Sequence, residues 1–117
     1  MEQENRDLLE RAAKAAGIVG KYESWTGQGF AEGIRQVLNG AKCHRPWNPL
    51  TDDGDALRLA ADLQMDVFVR AEWVEAVAPM GVAQKMCYGV EGPRSAARRA
   101  ITRAAAWMPP RRALGAA

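Results

Sequence analysis

Apolar residues recur with two different periods along this chain, and the change from one to the other separates helices from strands. Between residues 5 and 16, Leu8, Leu9, Ala12, Ala13 and Ala16 fall at helical spacing with Glu4, Arg6, Asp7, Arg11 and Lys14 on the other faces, and Gly17 is a natural stop. The next stretch, "IVGKYESWTGQGFAEGI", mixes aromatic and β-branched residues with Gly27-Gln28-Gly29 and predicts two short strands joined by a tight turn. Over residues 29–40 the period does not choose between strand and helix, since Ile34, Val37 and Leu38 also fit one face of a short helix that Gly40 would cap. Two prolines in "AKCHRPWNPL" rule out regular helix or central strand there, because each removes a backbone donor and restricts its predecessor. That segment reads as a loop packed down by Trp47.

In "TDDGDALRLAADL" a second helix begins, with Thr51 or Asp52 as N-cap. Asp53 and Asp55 then sit in the first turn, where the helix dipole favours negative charge, and Leu57, Ala60, Ala61 and Leu63 are the expected buried stripe. From Met65 the period becomes two: Met65, Val67, Val69 and Ala71 alternate with Asp66, Phe68 and Arg70. "WVEAVAP" and "KMCYGV" repeat the alternation, which predicts an antiparallel meander of three strands. Pro93 suits the first turn of a last helix, with Ala97, Ala100, Ile101 and Ala104 inward and Arg94, Arg98, Arg99 and Arg103 outward. The expectation is an α+β fold in a single domain over residues 1–108, followed by a flexible Pro/Arg tail, 109–117.

A length of 117 residues with 48% apolar and 26% charged residues allows one self-sufficient core and argues against a disordered chain. The start of the chain is acidic rather than basic-then-apolar, and no apolar run is long enough to span a bilayer, so the expected location is the cytoplasm, with no membrane partner. Cys43 and Cys87, with no C-x-x-C spacing, are expected as free thiols. The net charge of +2 hides an asymmetry: residues 1–90 hold 10 basic and 13 acidic groups, whereas residues 91–117 hold six arginines and one glutamate. Such a basic end can serve a polyanion, a docking surface or solubility alone.

The aspartates around Gly54 are the first candidates for chemistry. An EF-hand needs D-x-[DN]-x-[DN]-G with a bidentate glutamate at its twelfth position, and twelve residues counted from Asp52 end at Leu63. Helix capping is the simpler role, in which case Asp53→Asn and Asp55→Asn change function little. Cys43, His44 and the distant Cys87 make a poor zinc set, because adjacent residues chelate one ion badly. His44 lacks a paired nucleophile at readable spacing. "GQGFAEG" has neither the G-x-G-x-x-G order nor the Lys-Ser/Thr of a phosphate loop, so it reads as a turn. Four tryptophans, Trp25, Trp47, Trp73 and Trp107, are many for this length and are expected in the core or at an interface. No metal, cofactor or catalytic residue is assigned.

Two stretches, "WNPLTDDGDALRLAADL" and "SAARRAITRAAA", together with the element order, resemble the phage ABA sandwich domain of small phage and prophage proteins. In that family an aromatic residue, a proline and a Ser/Thr-Asp pair precede a helix, and the last helix is rich in alanine and arginine. The resemblance covers most of residues 5–107; the stretch from Gly29 to Arg45 is longer than in the family, and the Met-Pro-Pro-Arg-Arg tail has no counterpart there. It implies a three-layer α/β/α sandwich, with an antiparallel sheet of about four to five strands flanked by helices, and a phage setting. No catalytic or cofactor residues define the family, so none carry over.

Three function classes follow. The first is a non-enzymatic phage accessory protein that binds a host protein or a small phosphorylated ligand, as in the countering of bacterial defence, and that could form a homo-oligomer. Its candidate contacts are Trp47, Asn48, Asp52, Asp53, Arg94, Arg98, Arg99 and Arg103. The second is a nucleic-acid-associated phage protein that uses the arginine face of the last helix with Arg111 and Arg112, with weak binding expected because the rest of the chain is acidic. The third is a small hydrolase using the loop aspartates and His44.

Overall fold

A computed structural model describes residues 2–25, 31–42 and 45–110. In chain order the elements are α1 (Glu2–Ala16), β1 (Gly20–Trp25), β2 (Ala31–Leu38), β3 (Ala41–Lys42), α2 (Asp53–Asp62), β4 (Asp66–Val69), β5 (Trp73–Val77), β6 (Ala83–Cys87) and α3 (Pro93–Ala106). The predicted α+β class is what the chain adopts. Its strands form two antiparallel sheets, ordered β1-β2-β3 and β4-β5-β6.

Residues 29–40 resolve in favour of strand where they are described. β1 and β2 pair as a hairpin with Tyr22 opposite Ile34, and β2 turns back into β3 through Asn39 and Gly40, both with positive φ (54° and 81°). That is the Asn-Gly type I′ turn, whose twist matches that of its flanking strands. Gly40 therefore ends a strand rather than capping a helix. The tight turn expected at Gly27–Gly29 lies outside the described residues, as do Cys43, His44, Arg111 and Arg112.

The second sheet is the expected meander. β5 buries Val74 and Ala76 on one face and half-exposes Trp73, Glu75 and Val77 on the other. Helix α3 packs across the buried face of this sheet, and its other sides meet α1 and α2; α1 in turn covers β1 and β2. A helix enclosed on so many sides needs small residues. Ala96, Ala100, Ala104, Ala105 and Ala106 are buried together with Ile101 and Thr102, whose hydroxyl donates to the Arg98 carbonyl at 2.7 Å. The core joins these to Leu9, Ala12 and Ala13 of α1, Ile34, Trp47, and Ala56, Leu59, Ala60 and Leu63. The buried stripe of α2 is thus Ala56-Leu59-Ala60-Leu63, and Leu57, expected inside, is 70% exposed. One residue along a helix is about 100° of rotation, enough to move a side chain from core to solvent. No helix among the described residues is long and apolar enough to cross a membrane.

Candidate functional site

The turn Trp47–Asp55 is where the loop, β2 and the start of α2 meet, and its polar groups bond to one another and to β2, Arg45, Arg58 and α3. Trp47 is buried, and its N–H and C=O both bond to Ile34 at 2.8 Å, so the loop lies against β2 as an extra bridge. The buried Asn48 ties three segments together. Its side-chain amide donates to the Glu32 carbonyl at 2.7 Å, its side-chain oxygen accepts from the Leu50 N–H at 3.0 Å, and its carbonyl accepts from the Asp52 N–H at 2.9 Å.

Asp52 is the N-cap of α2: its backbone is extended and its Oδ2 accepts from the Asp55 N–H at 2.8 Å. That bond, followed by the Arg45 and Arg58 guanidiniums, holds the Asp52 carboxyl below the usual carboxylate range. Asp55 does more than complement a dipole. Its side chain is buried; Oδ2 accepts from the Asn48 N–H at 2.9 Å, and Oδ1 accepts from Arg58 Nη2 at 2.7 Å and Arg45 Nη2 at 3.2 Å. Arg45 also lies 3.3 Å from Asp52, so two carboxylates and two guanidiniums alternate around the first turn of α2. Asp55, ahead of Asp52, raises the Arg45 pKa further. Two cations already occupy these oxygens, so the cluster is a structural lock rather than an acid–base pair.

Asp53 faces the other way. Its carboxylate receives Arg98 Nη1 at 2.6 Å and lies 3.6 Å from Arg94 Nη1, while Arg98 Nε donates to the Leu50 carbonyl at 2.9 Å. This clamps the start of α2 to α3. The four arginines expected to share an outward face are therefore dispersed: Arg94 and Arg98 reach α2, Arg99 reaches Asn5 of α1 at 3.4 Å, and Arg103 reaches Gln84 of β6 at 3.3 Å. Only Arg94 is largely in solvent, at 85% exposure; Arg98 is at 21%. α3 is enclosed by three neighbours, so a side chain leaving it in almost any direction meets protein.

Between α1, the Leu50–Thr51 turn and the first turns of α3 lies a cavity of about 500 Å³, lined by Asn5, Leu50, Thr51, Glu91, Ser95, Arg98 and Arg99. Gly92 precedes α3 and makes no side-chain cap, and Pro93 fills its first position, so among the described residues no capping side chain serves the amides of that turn. Ser95 donates its hydroxyl to Glu91 at 2.6 Å. Arg98 and Arg99 were candidates from the sequence; Ser95 lies one turn before them on α3, Thr51 joins them through the clamp between α3 and the start of α2, and Asn5 through the packing of α1 on α3. Of the tryptophans, Trp47 is core, Trp73 lies between Arg70 and Lys85 at cation–π distances of 5.9 and 4.2 Å, and Trp107 is 62% exposed.

The cap makes a pH prediction. Because the folded state lowers the Asp52 pKa, its charge contributes stability fully at pH values above the unfolded pKa, and the contribution is lost as pH falls through the folded one. Asp52→Asn keeps a good capping side chain but loses the charge. The variant is expected to melt below the wild type at pH 6, and the gap to close as pH drops below about 4, where aspartates protonate. Melts across pH 3–7 check this.

The chain matches no protein-family model, no curated protein and no solved structure.

Proposed function

We propose that this chain is a non-enzymatic phage accessory protein of the bacterial cytoplasm that binds a small phosphorylated ligand in the cavity between α1, the Leu50–Thr51 turn and α3. The observation that supports it is the chemistry of that lining. Arg99, which among the described residues bonds to the Asn5 amide oxygen, lines the cavity with the Thr51 and Ser95 hydroxyls and the start of α3, where Gly92 supplies no side-chain cap. Guanidinium, hydroxyl and helix-start amides are the donors a phosphate takes. The Ser95–Glu91 hydrogen bond is the contact such a ligand exchanges for its own. The phage setting rests on the resemblance of the Trp47–Leu63 and Ser95–Ala106 stretches, and sequestering a phosphorylated signal is one way such a protein counters bacterial defence.

A nucleic-acid backbone is served less well, because Arg98, Arg99 and Arg103 bond to three different elements and no row of arginines follows a phosphate chain. Native mass spectrometry of protein made in bacteria, and calorimetric titration with inorganic phosphate, pyrophosphate and nucleotides, test the proposal. Saturable binding of a phosphorylated compound is expected, weakened about tenfold or more by Arg99→Glu, the worth of one charge-assisted hydrogen bond. The melting temperature should barely change. Absence of binding across the panel refutes the reading, and sub-micromolar binding of duplex DNA at physiological salt transfers it to nucleic acid.

A further inference from the structure

Strand β4 is an edge strand whose apolar side chains are uncovered: Val67 is 37%, Phe68 39% and Val69 61% exposed. Its free backbone groups follow from the ladder. The Arg70 N–H donates to the Trp73 carbonyl at 2.9 Å, which makes 70–73 a hydrogen-bonded pair and, by antiparallel alternation, Phe68–Glu75 and Asp66–Val77 as well. The N–H and C=O groups of Val67 and Val69 therefore point away from β5, with no strand to receive them among the described residues.

We propose that β4 pairs antiparallel with β4 of a second copy of this chain about a two-fold axis through Phe68, joining two three-stranded sheets into one of six strands. In this register Val67 exchanges ladder hydrogen bonds with Val69 of the other copy. Phe68 meets its counterpart in a non-hydrogen-bonded pair, where side chains approach most closely. Asp66 stands opposite Arg70. The sequence Asp66-Val67-Phe68-Val69-Arg70 is thus complementary to its own reversal, and a slip of two residues loses this by setting Asp66 against Phe68, or against Glu72. Arg70 is already positioned, since its guanidinium lies over the Phe68 and Trp73 rings at 5.3 and 5.9 Å.

The edges at β6 and β1 lack this match. On β6 the Tyr88 N–H donates to the Glu72 carbonyl, so the groups of Ala83, Lys85 and Cys87 face outward, and centred self-pairing would set Lys85 against Lys85. β1 presents Gly20, Lys21 and Ser24, and its Glu23 is ion-paired with Arg35 at 3.9 Å.

Analytical ultracentrifugation of the full chain, with hydrogen exchange at two protein concentrations, tests this. A dimer is expected in which the Val67 and Val69 amides slow as concentration rises. Asp66→Arg and Arg70→Asp should each weaken self-association roughly tenfold, since both symmetric pairs turn repulsive. Mixing the two variants should restore dimers, because one then carries both positive and the other both negative partners. Thermal melts confirm that each variant is folded before mixing. A wild type that stays monomeric overturns the proposal, as does a dimer indifferent to both substitutions or one whose Val67 and Val69 amides exchange at a concentration-independent rate.

Discussion

Asp55→Ala is expected to lower the stability of the fold by about 2–3 kcal/mol. Removing the carboxylate strands the buried Asn48 N–H, and an unsatisfied buried donor costs about 1–3 kcal/mol. Deleting one partner of a fully buried ion pair costs about 3–5 kcal/mol, but Arg45 and Arg58 keep roughly 60% of their side-chain surface in water and can be resolvated, which limits the loss. Asp55→Asn retains an acceptor for the Asn48 N–H and should lose about half as much, whereas Asp53→Asn, at a half-exposed pair, should lose under about 1 kcal/mol. Urea unfolding measures all three. Equal effects at Asp53 and Asp55 would return both to the dipole role read from the sequence.

Gly33→Ala is expected to cost about 2–4 kcal/mol, nearly all of it steric. Gly33 sits at φ 151°, and a Cβ built there would lie 2.5 Å from the Trp47 carbonyl oxygen and 3.0 Å from Asn48 Cβ. Strained backbone of this kind costs about 1–3 kcal/mol in a non-glycine residue, and overpacking a similar amount. Relief by movement is blocked, because the Trp47 carbonyl is the acceptor of the Ile34 N–H. Gly40→Ala is the control: φ is 81° but, its chain neighbours aside, no atom of the described residues lies within 4 Å of the new methyl, so the left-handed backbone penalty of about 1–2 kcal/mol is what applies. If the two variants unfold at the same urea concentration, the close approach of the loop to β2 is not what Gly33 serves.

Periodicity carries far in this chain where one face of an element meets one neighbour. It places α1, the β4–β6 meander and the Pro93 start of α3. It falters at residues 31–38, because a strand covered by α1 on one face and approached by Trp47 at its middle does not alternate cleanly; the local signal that decides the matter is Asn39-Gly40. The cap at Asp52 is legible because capping is local. The lock around Asp55 is not: Arg58 lies one turn away and can be suspected, but Arg45 sits ten residues upstream across two prolines, and only the folded loop brings it to the carboxylate. The arginines of α3 mislead for a related reason. Helical spacing separates faces but does not say how many of them are covered.

The central placement of α3 has a consequence for how the protein is made. Arg99 meets Asn5 across 94 positions, and the faces of α1, α2 and the β4-β5-β6 sheet that pack on α3 are covered only when this last described helix arrives. At translation rates of about 5–20 residues per second, α1 waits on the order of ten seconds at the ribosome for its contacts with α3. Contacts so distant in sequence also slow the closing step itself. A synonymous change that delays synthesis between residues 63 and 93 should therefore alter yield without altering the finished fold.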